Sequence, residues 1–143
     1  MNKKPQVTLE DIYQFIEQET GVKNESLTPD TELNNGLDVD GDDFEELIHS
    51  FAQTFHVNID HYLWYFHHVE EGWSVGSLFF KTPNDQVEHI PVTLNDLLNA
   101  ARLQKWPIVY PVHTVSHSRP DLLIDKIIAL LAIIALLSIL LFG

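Results

Sequence analysis

Apolar residues recur at helical spacing three times before position 107 and then crowd into one unbroken final run. In TLEDIYQFIEQETG, residues Leu9, Ile12, Phe15 and Ile16 share a face, Thr8 stands as an N-cap with Asp11 three residues on, and Gly21 stops the helix. Through DFEELIHSFAQTFHV, the stripe Phe44, Leu47, Ile48, Phe51 and Phe55 predicts an amphipathic helix over 42–56 whose aromatic face is core. VTLNDLLNAARLQKWP repeats the capping logic with Thr93 and Asp96, turns Leu94, Leu97, Leu98 and Ala101 inward, and is expected to end at Pro107, with Trp106 sealing the core.

The connecting stretches are less periodic. NESLTPDTELNNGLDVD is rich in turn formers and reads as a long loop pinned by Leu27, Leu33 and Leu37. From Asn58 to His89 the pattern supports a short helix or turn over 61–66 and an extended piece over 77–81. This aromatic stretch, with Trp64 and Trp73, is richer than so small a core needs. It reads either as a hydrophobic lid or as a partner-binding patch.

The final run, IIALLAIIALLSILLF over 127–142, is apolar on every side of a helix, and Ser138 is its one polar residue. Counted from Leu122, the segment spans roughly 31 Å at about 1.5 Å per residue, close to the roughly 30 Å of a bilayer's hydrocarbon core. Asp125 and Lys126 interrupt it one turn inside, where the lysine can snorkel. The domain organisation expected is a helical domain over 1–107, a proline-containing extended linker over 108–120 and a transmembrane segment over 121–143.

The stretch MNKKPQVTLEDIYQF has no apolar run behind its lysines and is not expected to act as a secretory signal. Arg119 and Lys126 flank the near end of the span, which by the positive-inside rule favours a cytoplasmic domain. The expectation is a tail-anchored, single-pass protein of the inner (cytoplasmic) membrane with its N-terminal domain in the cytoplasm.

Charge narrows the partners. The formal net charge is -13, and between Lys23 and Lys81 there is no Lys or Arg but twelve carboxylates. Such a surface repels nucleic acid and anionic headgroups and complements a basic protein. The chain has no cysteine, which excludes disulfides, thiolate metal sites and cysteine nucleophiles.

The densest acidic stretch is GLDVDGDDFEEL, residues 36–47. Read as a calcium loop from Asp38, it places Asp43 where the sharp turn needs glycine and His49 where a bidentate glutamate is expected, so an EF-hand is not expected. Among the eight histidines, His67 and His68 near Glu70 and Glu71, and the pair His113 and His117, suggest metal binding. Neither group has a complete ligand set, and each reads better as exposed polar surface. No Gly-x-Ser-x-Gly, phosphate loop or dinucleotide fingerprint occurs, and an enzyme is not expected.

The order of elements is similar to the acyl carrier protein fold. The wording of SLTPDTELNNGLDVDGDDFEELIHSFAQTFHVNID and of VTLNDLLNAARLQKWP resembles a small, mostly enterobacterial family of carrier-like domains catalogued as of unknown function. The resemblance implies a mainly α fold, a small acyl-carrier-like helical bundle, joined here to one C-terminal transmembrane helix.

In carriers a serine opening the second long helix accepts 4'-phosphopantetheine. Aligned through Glu46 and Leu47, that position is Gly41, the following residue is the carboxylate Asp42, and Ser50 lies too far along to substitute. No cofactor is therefore expected. The resemblance also implies that the acidic helix is a recognition surface. Asp40, Asp42, Asp43, Glu45 and Glu46, with Trp64 and Trp73, are the candidate partner-binding residues of a non-acylated, membrane-anchored adaptor. Two alternatives stand beside it. One is a structural subunit of a membrane complex assembled through its transmembrane helix, where Ala132, Ala135 and Ser138 form a small-residue row. The other is a carrier with an unrecognised attachment site.

Overall fold

A computed structural model describes residues 6–72, 74–116 and 118–142. Helix α1 (Leu9–Thr20) opens on a reciprocal capping box: the Thr8 backbone N–H donates to Asp11 Oδ2 at 2.7 Å, and the Asp11 N–H donates to Thr8 Oγ1 at 3.3 Å. It ends at Gly21, which takes the left-handed conformation and returns its N–H to the Glu17 carbonyl.

Within the stretch expected to be a loop, Asn24–Ser26 forms a 3-10 turn and Leu33–Leu37 a five-residue helix, α2. Leu27, Leu33 and Leu37 are buried, so the apolar residues that pin this stretch also supply the inward side of α2. Helix α3 (Gly41–Phe55) follows, with Phe44, Leu47, Ile48 and Phe51 buried and Phe55 packed at the margin. Phe15 of α1 meets Phe51 edge-on, with ring centroids 5.8 Å apart.

Helix α4 (Leu94–Leu103) has a second capping box, from Thr93 and Asp96, and packs along α1. It stops at Leu103, with Gln104 left-handed as its C-cap, and does not run on to Pro107. The reason is a competing pairing. Asn58 N–H donates to the Gln104 carbonyl at 3.0 Å and Trp106 N–H to the Asn58 carbonyl at 2.9 Å, which draws the backbone out of the helix. Trp106 is then buried in the core. A second crossing ties residues 29–33 to 92–95, through Leu33 N–H on the Val92 carbonyl and Leu94 N–H on the Thr31 carbonyl.

Residues 61–66 do contain a turn, the 3-10 helix Trp64–Phe66. The extended piece expected over 77–81 is instead a 3-10 turn, Gly76–Leu78, whose Gly76 carbonyl accepts from both Phe79 and Phe80. No strand neighbours this stretch among the described residues, so its backbone groups are satisfied locally and by the last helix. Residues 108–116 are irregular and lie against the domain: Ile108 and Tyr110 pack on the core, and Ser116 N–H donates to Gln86. Helix α5 (Pro120–Phe142) begins with proline at its first position, where the missing N–H costs nothing. The molecule is mainly helical, and α5 is long and apolar enough to cross a membrane.

Candidate functional site at the start of the third helix

Asp40 is the N-cap of α3, and its carboxylate is committed. One oxygen accepts the Gly41 N–H at 2.8 Å and the Val69 N–H at 3.1 Å, fastening the segment after the Trp64–Phe66 turn across the mouth of α3. Glu45, half-buried one turn on, is committed as well. It pairs with His49 on its own helix and with His68, each at 3.0 Å, and His68 stacks on Phe44 with centroids 5.2 Å apart. Asp42, Asp43 and Glu46 point outward and are exposed. Among the described residues no Lys or Arg pairs with them. Asp42 and Asp43 lie in the first turn, where the helix dipole favours negative charge.

Gly41 occupies a special place in this arrangement. Its φ of 56° is left-handed, and a Cβ added there would run into the Glu71 side chain. A residue with a side chain would therefore strain the backbone and have to push Glu71 aside. The Gly41 position is covered by the segment that Asp40 holds.

The two adjacent histidines are not exposed polar surface, as expected from sequence, but buried. His67 belongs to a chain of hydrogen bonds that fixes its tautomer. Tyr110 Oη accepts from Leu63 N–H at 3.1 Å and from Trp106 Nε1 at 2.8 Å, so its own proton goes to His67 Nε2 at 2.7 Å. His67 Nδ1 then donates to the Ile90 carbonyl at 2.7 Å. Burial pushes the His67 pKa down to about 4, outweighing the upward pull of the Ile90 hydrogen bond. The sequence gives no local warning of this, because the partner that makes burial tolerable, Tyr110, lies 43 residues away.

Two grooves flank α3. One, of about 230 Å³, is lined by Asp42, Glu45, Trp64, His68, Val69 and Glu70, and so joins three of the sequence-predicted residues. The Trp64 indole is half-buried and leans on His68, with ring centroids 5.3 Å apart. The other, of about 340 Å³, lies toward the end of α1 and gathers Glu19, Asp38, Asp43 and Glu46. Trp73 lies outside the described residues. The predicted set thus divides: Asp40 and Glu45 hold the structure, while Asp42, Asp43, Glu46 and the Trp64 face are available. Glu19, Asp38 and Glu70 are acidic neighbours that helical spacing alone does not assign to these grooves. Among the described residues no group of three or more His, Asp or Glu side chains is placed to hold a metal ion. His113 is exposed and pairs with Tyr65 Oη at 3.0 Å, while His117 lies outside the described residues.

A separate polar cluster joins the domain to α5. Arg119 forks between Glu70, at 2.8 and 3.3 Å, and Asp121, at 2.7 and 3.0 Å. Asp125, one turn beyond Asp121, accepts Ser74 Oγ at 2.6 Å and Gly76 N–H at 3.0 Å. The i, i+4 spacing places both aspartates on the side of α5 that meets the domain.

The model of a family described as "Protein of unknown function (DUF1493)" matches residues 7–110, and the chain belongs to that family. No curated protein and no solved structure matches the chain.

Proposed function

We propose that this DUF1493 protein is a non-catalytic, carrier-like adaptor that docks a basic protein surface on the acidic side of α3 while α5 holds it to the cytoplasmic face of a membrane. The observation that carries the reading is the groove that Trp64 lines together with Asp42 and Glu45. An arginine entering it meets a π face and a carboxylate together, a combination that rewards a cation more than either group alone. Asp42, Asp43 and Glu46, without a Lys or Arg partner among the described residues, extend the negative surface around the helix. Such charges raise the association rate and select the partner, while confinement to a membrane lets weak contacts suffice.

Support for the carrier-like part comes from the order of the elements and from the acidic opening of α3. The attachment position does not favour a carrier with a prosthetic group there, since Gly41 is left-handed and lies under Glu71. The orientation rests on Arg119 and Lys126 at the near end of the span.

The test replaces Asp42, Asp43 and Glu46 with Asn, Asn and Gln in the full-length protein and separately makes Trp64→Ala. Capture of a basic protein from detergent-solubilised membranes is expected to be lost with the triple variant, weakened with Trp64→Ala, and weakened by added salt in the wild type. Unchanged capture by a folded triple variant contradicts the reading.

A further inference from the structure

The turn that grips α5 carries apolar side chains with nothing over them. Leu78 and Phe79 are 70% and 72% exposed and Phe80 is 40% exposed, and the exposed Lys81 follows directly. Single exposed apolar residues are ordinary, but three in a row in a small acidic domain are not. Their position says what covers them. Gly76 approaches α5 so closely that a Cβ there would meet the Asp121 carbonyl, and Asp125 accepts hydrogen bonds from Ser74 and Gly76. The turn is therefore pinned at the level of residues 121–125, where α5 leaves the domain.

From Ile127 to Phe142 every side chain of α5 is exposed, and all but Ser138 are apolar. Because Asp121 and Asp125 are held against the domain, the span free to enter hydrocarbon is residues 127–142, roughly 24 Å at about 1.5 Å per residue. A hydrocarbon core of about 30 Å exceeds this, and the mismatch draws the domain's underside toward the headgroups. Leu78, Phe79 and Phe80 belong to the turn held at the level of residues 121–125, and Lys81 can lay its stem along the boundary with its ammonium outward.

We infer that Leu78, Phe79 and Phe80 form a second membrane contact, a shallow wedge in the bilayer interface beside α5. The inference rests on α5 spanning the membrane and adds to it that the domain is seated on the lipid surface in a fixed orientation. The occupant is lipid, because the patch belongs to the turn pinned at residues 121–125, the level at which the exposed apolar run of α5 begins. Seated in this way, the domain has its rotation about the anchor restricted.

The chain's lack of cysteine makes the test direct. Full-length single-cysteine variants Phe79→Cys, Leu131→Cys and Leu103→Cys are labelled with an environment-sensitive fluorophore and reconstituted in phosphatidylcholine vesicles. Nitroxide lipids, spin-labelled near the headgroup or near the chain end, then serve as quenchers. The wedge predicts blue-shifted emission at position 79 with stronger quenching by the shallow probe, quenching by the deep probe at position 131, and none at the exposed Leu103 position on α4.

Deep quenching at position 131 with unquenched, water-like emission at position 79 overturns the wedge and leaves the anchor standing. Blue-shifted emission at position 79 without lipid quenching means that protein, such as a second copy, covers the patch, and also overturns it. Absence of quenching at position 131 refutes the anchor itself and, with it, the wedge that rests on it.

Discussion

Helices α3 and α5 use their carboxylates in opposite directions. Helix α3 is apolar on one side and places Asp42, Asp43 and Glu46 in solvent, so its buried stripe specifies the core and, Glu45 aside, its acids are available for something else. Helix α5 is apolar on all sides, and its two acids, Asp121 and Asp125, turn back to the domain, where Arg119, Ser74 and Gly76 satisfy them. A carboxylate in a water-facing helix needs no partner, whereas one at the edge of an apolar helix must bring one. The same residue type therefore signals availability in α3 and attachment in α5.

The contrast is broken most strongly in the core. Phe51→Ala removes a fully buried ring and is expected to cost the domain about 3–5 kcal/mol, whereas Leu131→Ala in α5 leaves domain stability unchanged to within about 0.5 kcal/mol. Denaturant unfolding in mild detergent, followed by tryptophan fluorescence, measures both. Equal losses would mean that α5 is part of the domain's core.

The buried side of α3 also borders His67, whose ring lies parallel to Phe44. The unfolded ring titrates near 6.5 and the folded ring at about 4, so between these values the unfolded chain carries the extra proton. Stability from this group is full above about pH 6.5 and falls by roughly 3 kcal/mol as the pH drops toward 4. His67→Gln should flatten that part of the pH–stability curve, and an unaltered slope would count against the buried neutral ring.

At the mouth of α3, Gly41→Ser is expected to lose about 1–2 kcal/mol through the left-handed backbone and the displacement of Glu71. Combining it with Glu71→Ala should recover the steric part only. A neutral result for Gly41→Ser would show that the segment over α3 yields freely.

The smallest change in stability and the sharpest contrast come from one acid in each helix. Asp125→Ala should raise amide exchange at Gly76 and release the 74–80 turn from α5, while Asp43→Ala should leave exchange across the domain as it was. Exchange measured by mass spectrometry distinguishes the two.

How much of this was legible in the sequence follows the range of the forces involved. Both capping boxes, the stripe of α3 and the uniform apolarity of α5 are patterns within a few residues, and they placed four helices to within a few positions. Features set by distant partners were not legible. The early stop of α4 depends on Asn58, the burial of His67 on Tyr110, and the turn at residues 76–78 on Asp125. In the candidate site, the outward acids could be read from helical spacing. That Asp40 and Glu45 are engaged elsewhere required knowing where Val69 and His68 come to lie.

The central claim is that the acidic side of α3, rather than α5, meets the partner. Photocrosslinking from p-benzoylphenylalanine placed at the Asp43 position or at the Ala135 position, in the full-length protein in native membranes, tests it most directly. The account predicts a crosslinked basic protein from position 43 that disappears when Asp42 and Glu46 are neutralised, with lipid adducts from position 135. A protein adduct from position 135 with none from position 43 would contradict it and identify α5 as the assembling surface.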